Sequence, residues 1–90
     1  MTLWDYRYKN QVTKVWYAIR FKSGIEGSGR AYAFASRHER DWFVYRANRN
    51  KDYLSMVATR QEAMALSGYT NPSKDVLVID KDNKLVCVSL

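Results

Sequence analysis

The sequence predicts one α+β domain, in which a mostly antiparallel sheet of five to six strands carries two short helices on one face, in the order β-β-β-α-β-α-β-β. Three observations lead to this class. A chain of 90 residues is too short to form two hydrophobic cores, so residues 1–90 are expected to fold as a single domain. Several segments show the alternation of apolar and polar residues that is typical of strands. Two of these segments lead into a Ser or Thr that is followed three residues later by Glu, a typical helix start.

Three strands are predicted in the first 35 residues. In residues 4–8 aromatic residues alternate with charged ones, which indicates a first strand. Those aromatic residues are Trp4, Tyr6 and Tyr8. The second strand is expected over 12–22, with a core side that consists of Val15, Tyr17, Ile19 and Phe21. Residues 23–29 hold three of the four glycines and predict a hairpin tip, and the third strand, over 30–35, places three alanines on one face where a helix can approach closely.

The first helix is expected from Ser36 to about Ala47. Ser36 and Glu39 form a capping box, in which each side chain satisfies a backbone N–H group of the first helical turn. The buried stripe of this helix is expected to be Phe43, Val44 and Ala47. The polar segment 48–52 follows as a loop.

A second strand-to-helix joint follows 23 residues later. Residues 53–58 are expected to form a strand, and Thr59 with Glu62 opens a helix that ends near Ser67, with Gly68 at its carboxyl-terminal cap. The repeated joint is either a duplication or the ordinary appearance of a strand that enters a capped helix. A loop over 69–74 then leads to a closing hairpin, with strands over 76–79 and 85–88 and an Asp- and Asn-rich turn between them.

Positive charge is concentrated in the first two-thirds of the chain. Residues 1–60 carry twelve Lys and Arg against five Asp and Glu, a balance of +7, whereas residues 61–90 carry three against four, a balance of −1; together they make the net charge of +6. Most of the Trp and Tyr residues lie in the same basic part. Cations interleaved with aromatic side chains predict an anionic partner, which is either nucleic acid or an acidic protein surface.

Composition also argues against several classes of protein. No apolar run approaches the ~20 residues that cross a bilayer, and the first residues lack the basic and apolar regions of a secretory signal. A single cysteine allows no internal disulfide, which fits a reducing compartment. We therefore expect a cytoplasmic protein that does not bind membranes.

The sequence predicts a binding protein rather than an enzyme. Its one His and one Cys are His38, in the first turn of a helix, and Cys87, in the last strand. Nothing in their spacing predicts the ~3 Å approach that a Cys–His nucleophile pair needs. Cys87 is expected to be a buried structural thiol and His38 an exposed helix residue. One His and one Cys are too few for a transition-metal site, so no catalytic residue, metal or cofactor is expected.

Two basic regions are the candidate binding sites. The outer face of the second predicted strand combines cations with one indole ring, an arrangement that binds single-stranded nucleic acid in other proteins. This strand face consists of Lys14, Trp16, Arg20 and Lys22. The second region lies on the first predicted helix and the loop that follows it. It consists of Arg37, Arg40, Arg46, Arg49 and Lys51. Whether the two regions form one patch depends on which face of the sheet the helices cover.

The joint at Ser36 carries a family resemblance. The segment reads AFASRHERDWFV over residues 33–44: an apolar strand, then Ser, a basic residue, Glu-Arg-Asp, an aromatic residue and Val. This pattern resembles a strand–Ser–helix stretch of small phage-encoded accessory proteins. The resemblance implies a phage or prophage source and, with it, an inhibitor of host machinery of the anti-CRISPR kind. It implies no functional residues.

These observations predict a non-enzymatic phage-type inhibitor that binds a host protein or ribonucleoprotein in the host cytoplasm. The target would present an acidic or a nucleic-acid-binding groove to the basic surface. The alternative is a protein that binds single- or double-stranded nucleic acid directly through the strand face. A first strand at the edge of the sheet also leaves a homodimer open, because exposed edge strands can pair across a two-fold axis.

Overall fold

The fold is a five-stranded mixed sheet with helices on both of its faces. The computed structural model describes residues 1–9, 11, 12, 14–25, 27–70, 75–80, 82 and 84–89, without the side chains of 67–70 and 75. In this part of the chain the elements are α1 (Leu3–Lys9), β1 (Trp16–Lys22), β2 (Arg30–Phe34), α2 (Arg37–Arg49), β3 (Tyr53–Ala58), α3 (Arg60–Thr70), β4 (Asp75–Ile79) and β5 (Leu85–Ser89). The strand order is β3-β1-β2-β4-β5. Only β2 and β4 pair in parallel among the described strands, so the predicted small α+β domain with a largely antiparallel sheet is confirmed.

The direction of the two crossover connections explains why helices cover both faces. From β2 the chain passes through α2 to β3 at one edge of the sheet, and from β3 it returns through α3 to β4 on the far side of β2. Crossovers between strands that run the same way are almost always right-handed. Two such crossovers that move in opposite directions along the sheet put their helices on opposite faces. The predicted arrangement of both helices on one face is therefore wrong.

The first element is a helix, not the predicted strand. The Thr2 hydroxyl accepts a hydrogen bond from the Asp5 backbone N–H at 3.1 Å, which caps α1. Leu3 and Tyr6 are buried, three residues apart as on one helical face, whereas the Trp4 and Tyr8 side chains are 71% and 78% exposed. The alternation of aromatic residues that suggested a strand thus separates the buried Tyr6 from two exposed rings. The edge-strand homodimer loses its basis, because these residues form no strand.

The α3 side of the sheet holds the larger part of the core. Small residues line it: Ala31 and Ala33 of β2 are buried with Ala63 of α3, as the alanine face predicted. Next to them the chain leaves no room for a side chain at Gly29, since a Cβ built there lies 2.7 Å from Cε1 of Phe21. Close helix–sheet packing on this face therefore depends on alanine and glycine.

The α2 side of the sheet is built around aromatic rings. Phe43 of α2 lies 4.7 Å from the Tyr32 ring and 5.1 Å from the Phe34 ring, measured between ring centroids. Both strand rings and Ala18 of β1 are buried beneath the helix. The predicted capping box holds α2 at its start, where the Ser36 hydroxyl accepts from the Glu39 N–H at 3.2 Å. The helix extends to Arg49, two residues beyond the predicted end.

A side chain of α2 also closes part of the outer edge of β3. The Asn48 side-chain amide donates to the Ser55 carbonyl oxygen at 2.9 Å, and its oxygen accepts from the Ser55 N–H at 2.7 Å. The Ser55 hydroxyl, which is buried, donates to the Ile19 carbonyl oxygen of β1 at 2.8 Å. Ser55 thus fixes β3 to both β1 and α2.

The second half of the chain follows the prediction more closely. The Thr59–Glu62 capping box is present, with hydrogen bonds of 3.0 and 3.1 Å. α3 continues to Thr70 and includes Gly68, which was predicted to end it. β4 and β5 form the predicted antiparallel hairpin, and the Asp80 carboxylate accepts two backbone N–H groups of the turn. The predicted loop over 69–74 is wrong for residues 69 and 70, which belong to α3, and its residues 71–74 lie outside the described residues.

Candidate binding surface

In the structure the four residues of the predicted strand face lie in three separate environments. β1 begins at Trp16, and Trp16, Arg20 and Lys22 do share one face of the sheet. Strands rise ~3.3 Å per residue, so Trp16 and Lys22 lie about 20 Å apart. Between them Ala18 is fully buried under α2, which interrupts the solvent-exposed path that a nucleic-acid strand would follow. The face therefore contributes separate local sites rather than one continuous track.

Arg20 lies in a cage of aromatic rings. Its guanidinium carbon is 4.5 Å from the centroid of the Tyr53 ring, 5.1 Å from Tyr32 and 5.7 Å from Phe43. One Nη group donates to the Tyr32 hydroxyl at 2.8 Å. Cation–π contacts of this kind stabilise by ~0.5–1 kcal/mol each at exposed sites and more where water is excluded. Arg20 thus joins β1, β2, α2 and β3, a structural role that the sequence analysis did not assign to it.

A groove opens from this cage along one side of α2. Its volume is about 420 Å³, which is within the ~300–1,000 Å³ range of small-ligand sites. Phe34 and Ile79 line the sheet side of the groove, and residues from Glu39 to Asn50 line its helix side. Two cations, Arg20 and Arg46, and one carboxylate, Glu39, are among the lining residues. The groove can therefore hold an apolar group together with one negative charge.

The outer face of α2 carries an exposed ladder of aromatic and basic side chains. The rings of Trp42 and Tyr45 are stacked at 5.5 Å with an interplanar angle of 21°, and they are 53% and 54% exposed. The Arg49 guanidinium lies 5.8 Å from the Tyr45 centroid. Trp42 and Arg46 also line the groove. We call Trp42, Tyr45, Arg46 and Arg49 the α2 ladder; their spacing of three, four and seven residues puts them on one face of the helix.

A second cavity collects cations from four parts of the chain. It has a volume of about 270 Å³ and lies where α1, β1, α2 and the start of α3 meet. Trp16 and Tyr17 line it together with four basic residues. Those four are Arg7, Lys14, Arg40 and Arg60, and we call this cavity the basic pocket. The Lys14 ammonium lies 5.3 Å from the Trp16 ring.

Local contacts orient the groups of the basic pocket. Arg40 is the most deeply placed, with a side chain that is 10% exposed, and its Nε donates to Asp41 at 2.7 Å. Burial raises the pKa of the Tyr17 hydroxyl above its ordinary value of 10.0, while the guanidinium groups of Arg60 and Arg7 act in the opposite direction. Two of the four cations, Arg60 and Arg7, therefore lie close to the Tyr17 hydroxyl, although burial dominates and its pKa is raised.

The remaining predicted residues lie apart from these sites. Arg37 is exposed and pairs with Asp41 at 3.7 Å, the i,i+4 pair expected on the helix. Lys22 and Lys51 are exposed near the start of β3. The two predicted basic regions are therefore regrouped into two separate sites. Arg40 lines the basic pocket with Lys14 and Trp16, whereas Arg46 lines the groove with Arg20.

The sequence predicts neither Arg7 nor Arg60 in this pocket. It places Arg7 on a neighbouring strand that extends the strand face, and Arg60 only within the capping box of the second predicted helix. The Thr2–Asp5 spacing, which repeats the capping pattern of the two later helices, is the signal that would have placed Arg7 on a helix. Only the tertiary fold brings residues 7, 14, 40 and 60 together.

Few of the described side chains are of the types that commonly act in catalysis or bind metals. His38 is exposed in the first turn of α2, as expected, whereas Cys87 is exposed on β5 and not buried as expected. Within the described residues, no group of three or more His, Cys, Asp or Glu side chains could hold a metal ion. None of the described helices combines the length and the apolar character that a membrane crossing requires.

Comparison of the chain with protein-family models, with curated proteins and with solved structures found no match. The phage-protein resemblance of residues 33–44 stays a prediction.

Proposed function

We propose that this protein is a non-enzymatic binding protein, an inhibitor of the phage type, that docks on an acidic surface of a host protein through the α2 ladder. The observation that carries the proposal is the exposed stack of Trp42 on Tyr45, continued by Arg49. Trp, Tyr and Arg are the residue types that dominate binding energy at protein–protein interfaces. All three occur here on one helical face.

The ladder is organised before any partner binds. Trp42 and Tyr45 already stack on each other, so their side chains lose little further conformational entropy on docking. Ordering a long side chain at an interface costs about 0.5–1.5 kcal/mol, and rings held in place avoid part of this cost. A stacked aromatic surface next to exposed arginines is therefore suited to tight and selective docking.

The groove beside the ladder supports a partner with negative charge. Arg46 belongs to both surfaces, and the caged Arg20 guanidinium lines the groove next to Tyr53. A carboxylate of the partner that enters the groove would meet two cations against the single carboxylate of Glu39, while apolar atoms of the same segment pack on Trp42 and Ile79. The net charge of +6 favours encounter with an acidic surface over long range.

Capture from a nuclease-treated lysate of a bacterial host tests the proposal. We expect the tagged protein to recover one host protein in stoichiometric amount, with removal of nucleic acid leaving recovery unchanged. Trp42→Ala combined with Arg49→Ala should abolish recovery, because each truncation of an interface hot spot costs about 2 kcal/mol, or roughly 30-fold in affinity. Trp4→Ala is the matched control, since it removes an exposed indole from α1, away from the α2 ladder.

Two outcomes contradict the proposal. One is that the double variant recovers the same protein in the same amount as the parent. The other is that recovery disappears when nucleic acid is digested, which would instead support direct nucleic-acid binding, the alternative that the charge and aromatic pattern leaves open.

A further inference from the structure

The basic pocket is separate from the α2 ladder and has no part in the proposed docking. Each of its four cations comes from a different segment: Arg7 from α1, Lys14 from the chain before β1, Arg40 from α2 and Arg60 from α3. The folded chain thus brings like charges together from positions up to 53 residues apart in the sequence. Such convergence destabilises the free protein by mutual repulsion and becomes favourable when an anion occupies the pocket.

The lining of the pocket leaves positive charge in excess. No Asp or Glu is among its described lining residues. The Asp41 carboxylate contacts the Nε of Arg40, and the Glu62 carboxylate accepts from the backbone N–H of the lining residue Thr59 at 3.0 Å. The Asp41 contact uses one of the five N–H donors of a guanidinium. It also holds the nine-tenths-buried Arg40 side chain in one orientation, which prepares the group to bind an anion without further loss of entropy.

The start of α3 also borders the basic pocket. Thr59 and Arg60 line the pocket, and the Thr59–Glu62 capping box fixes this helix terminus there. The first turn of a helix carries a partial positive charge on its backbone N–H groups, which is a common feature of phosphate sites. The capping box already uses the Thr59 and Glu62 N–H groups and places the Glu62 carboxylate at this terminus, so the four side-chain cations, and not the helix dipole, are the main support for an anion.

Size narrows the class of ligand. The volume of about 270 Å³ is below the ~300–1,000 Å³ typical of sites for drug-sized molecules. A compact anion with several acceptor oxygens can engage guanidinium, ammonium and backbone N–H donors together, and phosphate has this chemistry. We propose that the basic pocket binds a phosphate group, either as the free ion or at the end of a nucleic-acid strand.

Titration with inorganic phosphate at constant ionic strength tests the pocket, with calorimetry and amide shifts as readouts. We expect saturable binding of phosphate in preference to chloride, with shifts at Tyr17 and Thr59. Arg60→Gln and Lys14→Gln should each weaken binding about tenfold or more, because each removes a charged donor to the anion. Both residues are exposed, and circular dichroism of the variants checks that the fold is retained. Arg30→Gln is the matched control: it removes the same charge from an exposed position at the other end of the sheet and should change affinity less than twofold.

A second arm identifies the source of the phosphate. An oligonucleotide with a 5′-phosphate is compared with the same oligonucleotide bearing a 5′-hydroxyl. Tighter binding of the phosphorylated strand, lost in Arg60→Gln, assigns the pocket to a nucleic-acid end; equal binding of both strands, with retained binding of inorganic phosphate, assigns it to the free ion.

The proposal is overturned if phosphate gives no saturable signal, or if Arg60→Gln and Arg30→Gln weaken binding equally, since net charge alone would then explain the effect. Neither result bears on the α2 ladder, because the variants and the readouts differ from those of the docking experiment.

Discussion

Replacing Arg20 by Lys tests whether the guanidinium of Arg20 stabilises the fold. Lysine keeps the charge but replaces the planar guanidinium with a compact ammonium, which is a different group at a stacked site. An ammonium can lie over one ring, so the contacts to about two of the three rings are lost. At ~0.5–1 kcal/mol for each contact, we expect Arg20→Lys to lower the free energy of unfolding by about 1–2 kcal/mol.

Urea denaturation followed by tryptophan fluorescence measures this change. A domain of this size loses ~4–8 °C in melting temperature for each kcal/mol, so thermal denaturation should show the effect as well. Arg30→Lys is the control, because Arg30 is the direct cross-strand partner of Arg20 but is exposed. It should stay within about 0.5 kcal/mol of the parent.

A double-mutant cycle with Tyr53 makes the test specific. The Tyr53 ring is the closest of the three to the guanidinium, at 4.5 Å. In a Tyr53→Leu background the cost of Arg20→Lys should shrink by the energy of that contact. The reasoning fails if Arg20→Lys and Arg30→Lys have the same urea midpoint, or if the cost of Arg20→Lys is independent of Tyr53.

Three further changes test the packing and the caps. Gly29→Ala puts a methyl carbon 2.7 Å from the Phe21 ring and should destabilise the domain by about 1–3 kcal/mol in urea denaturation; unchanged stability would mean that the face repacks at no cost. Asn48→Ala removes two hydrogen bonds to the Ser55 backbone and should cost about 1–3 kcal/mol, with faster amide exchange at Ser55; full protection of that amide would contradict the assignment. Hydrogen bonds from Thr2 lower the pKa of Asp5 below its ordinary value of 3.8, so the stabilisation of α1 is present above that value and is lost as pH falls through the lower folded-state value. An NMR titration of α1 should show this loss and Asp5→Asn should remove the pH dependence, whereas an unchanged titration in Asp5→Asn would assign it elsewhere.

Local signals in the sequence predicted most of the elements and their ends. The capping pairs Ser36–Glu39 and Thr59–Glu62 specify helix starts through contacts between residues three apart, and the structure has both helices there. The alternation of β1 and the glycine-rich tip between β1 and β2 are local in the same sense. Such contacts are readable because the interacting groups are neighbours in the sequence.

α1 shows where local reading fails. Alternation at Trp4, Tyr6 and Tyr8 fits a strand, and the helical reading, with Leu3 and Tyr6 inward, fits equally well over seven residues. The Thr2–Asp5 cap favours the helix locally, and burial of those two side chains in the core, a tertiary effect, stabilises it. In a segment this short, periodicity alone does not separate the two periods.

The candidate sites were predictable only as a list of residue types. Arg20, Arg37 and Arg40 are the same residue type in similarly basic stretches of the sequence. In the structure Arg20 is caged by aromatic rings, Arg40 is buried beside Asp41 and Arg37 is exposed. The difference arises from which sheet face α2 covers. That choice depends on the direction of the crossovers and leaves no mark in the local sequence.

The hydrogen bonds from Asn48 to Ser55 limit how a partner can be recognised. At the outer edge of β3 this amide occupies the Ser55 backbone groups, and the Tyr53 N–H is bound to the Asn50 carbonyl. At the opposite edge the Ser89 N–H donates to the Met1 carbonyl oxygen at 2.9 Å. A foreign strand that sought to extend the sheet would find these positions already occupied by the protein's own chain. A partner that approaches either edge at those positions must therefore bind side chains rather than pair with the backbone.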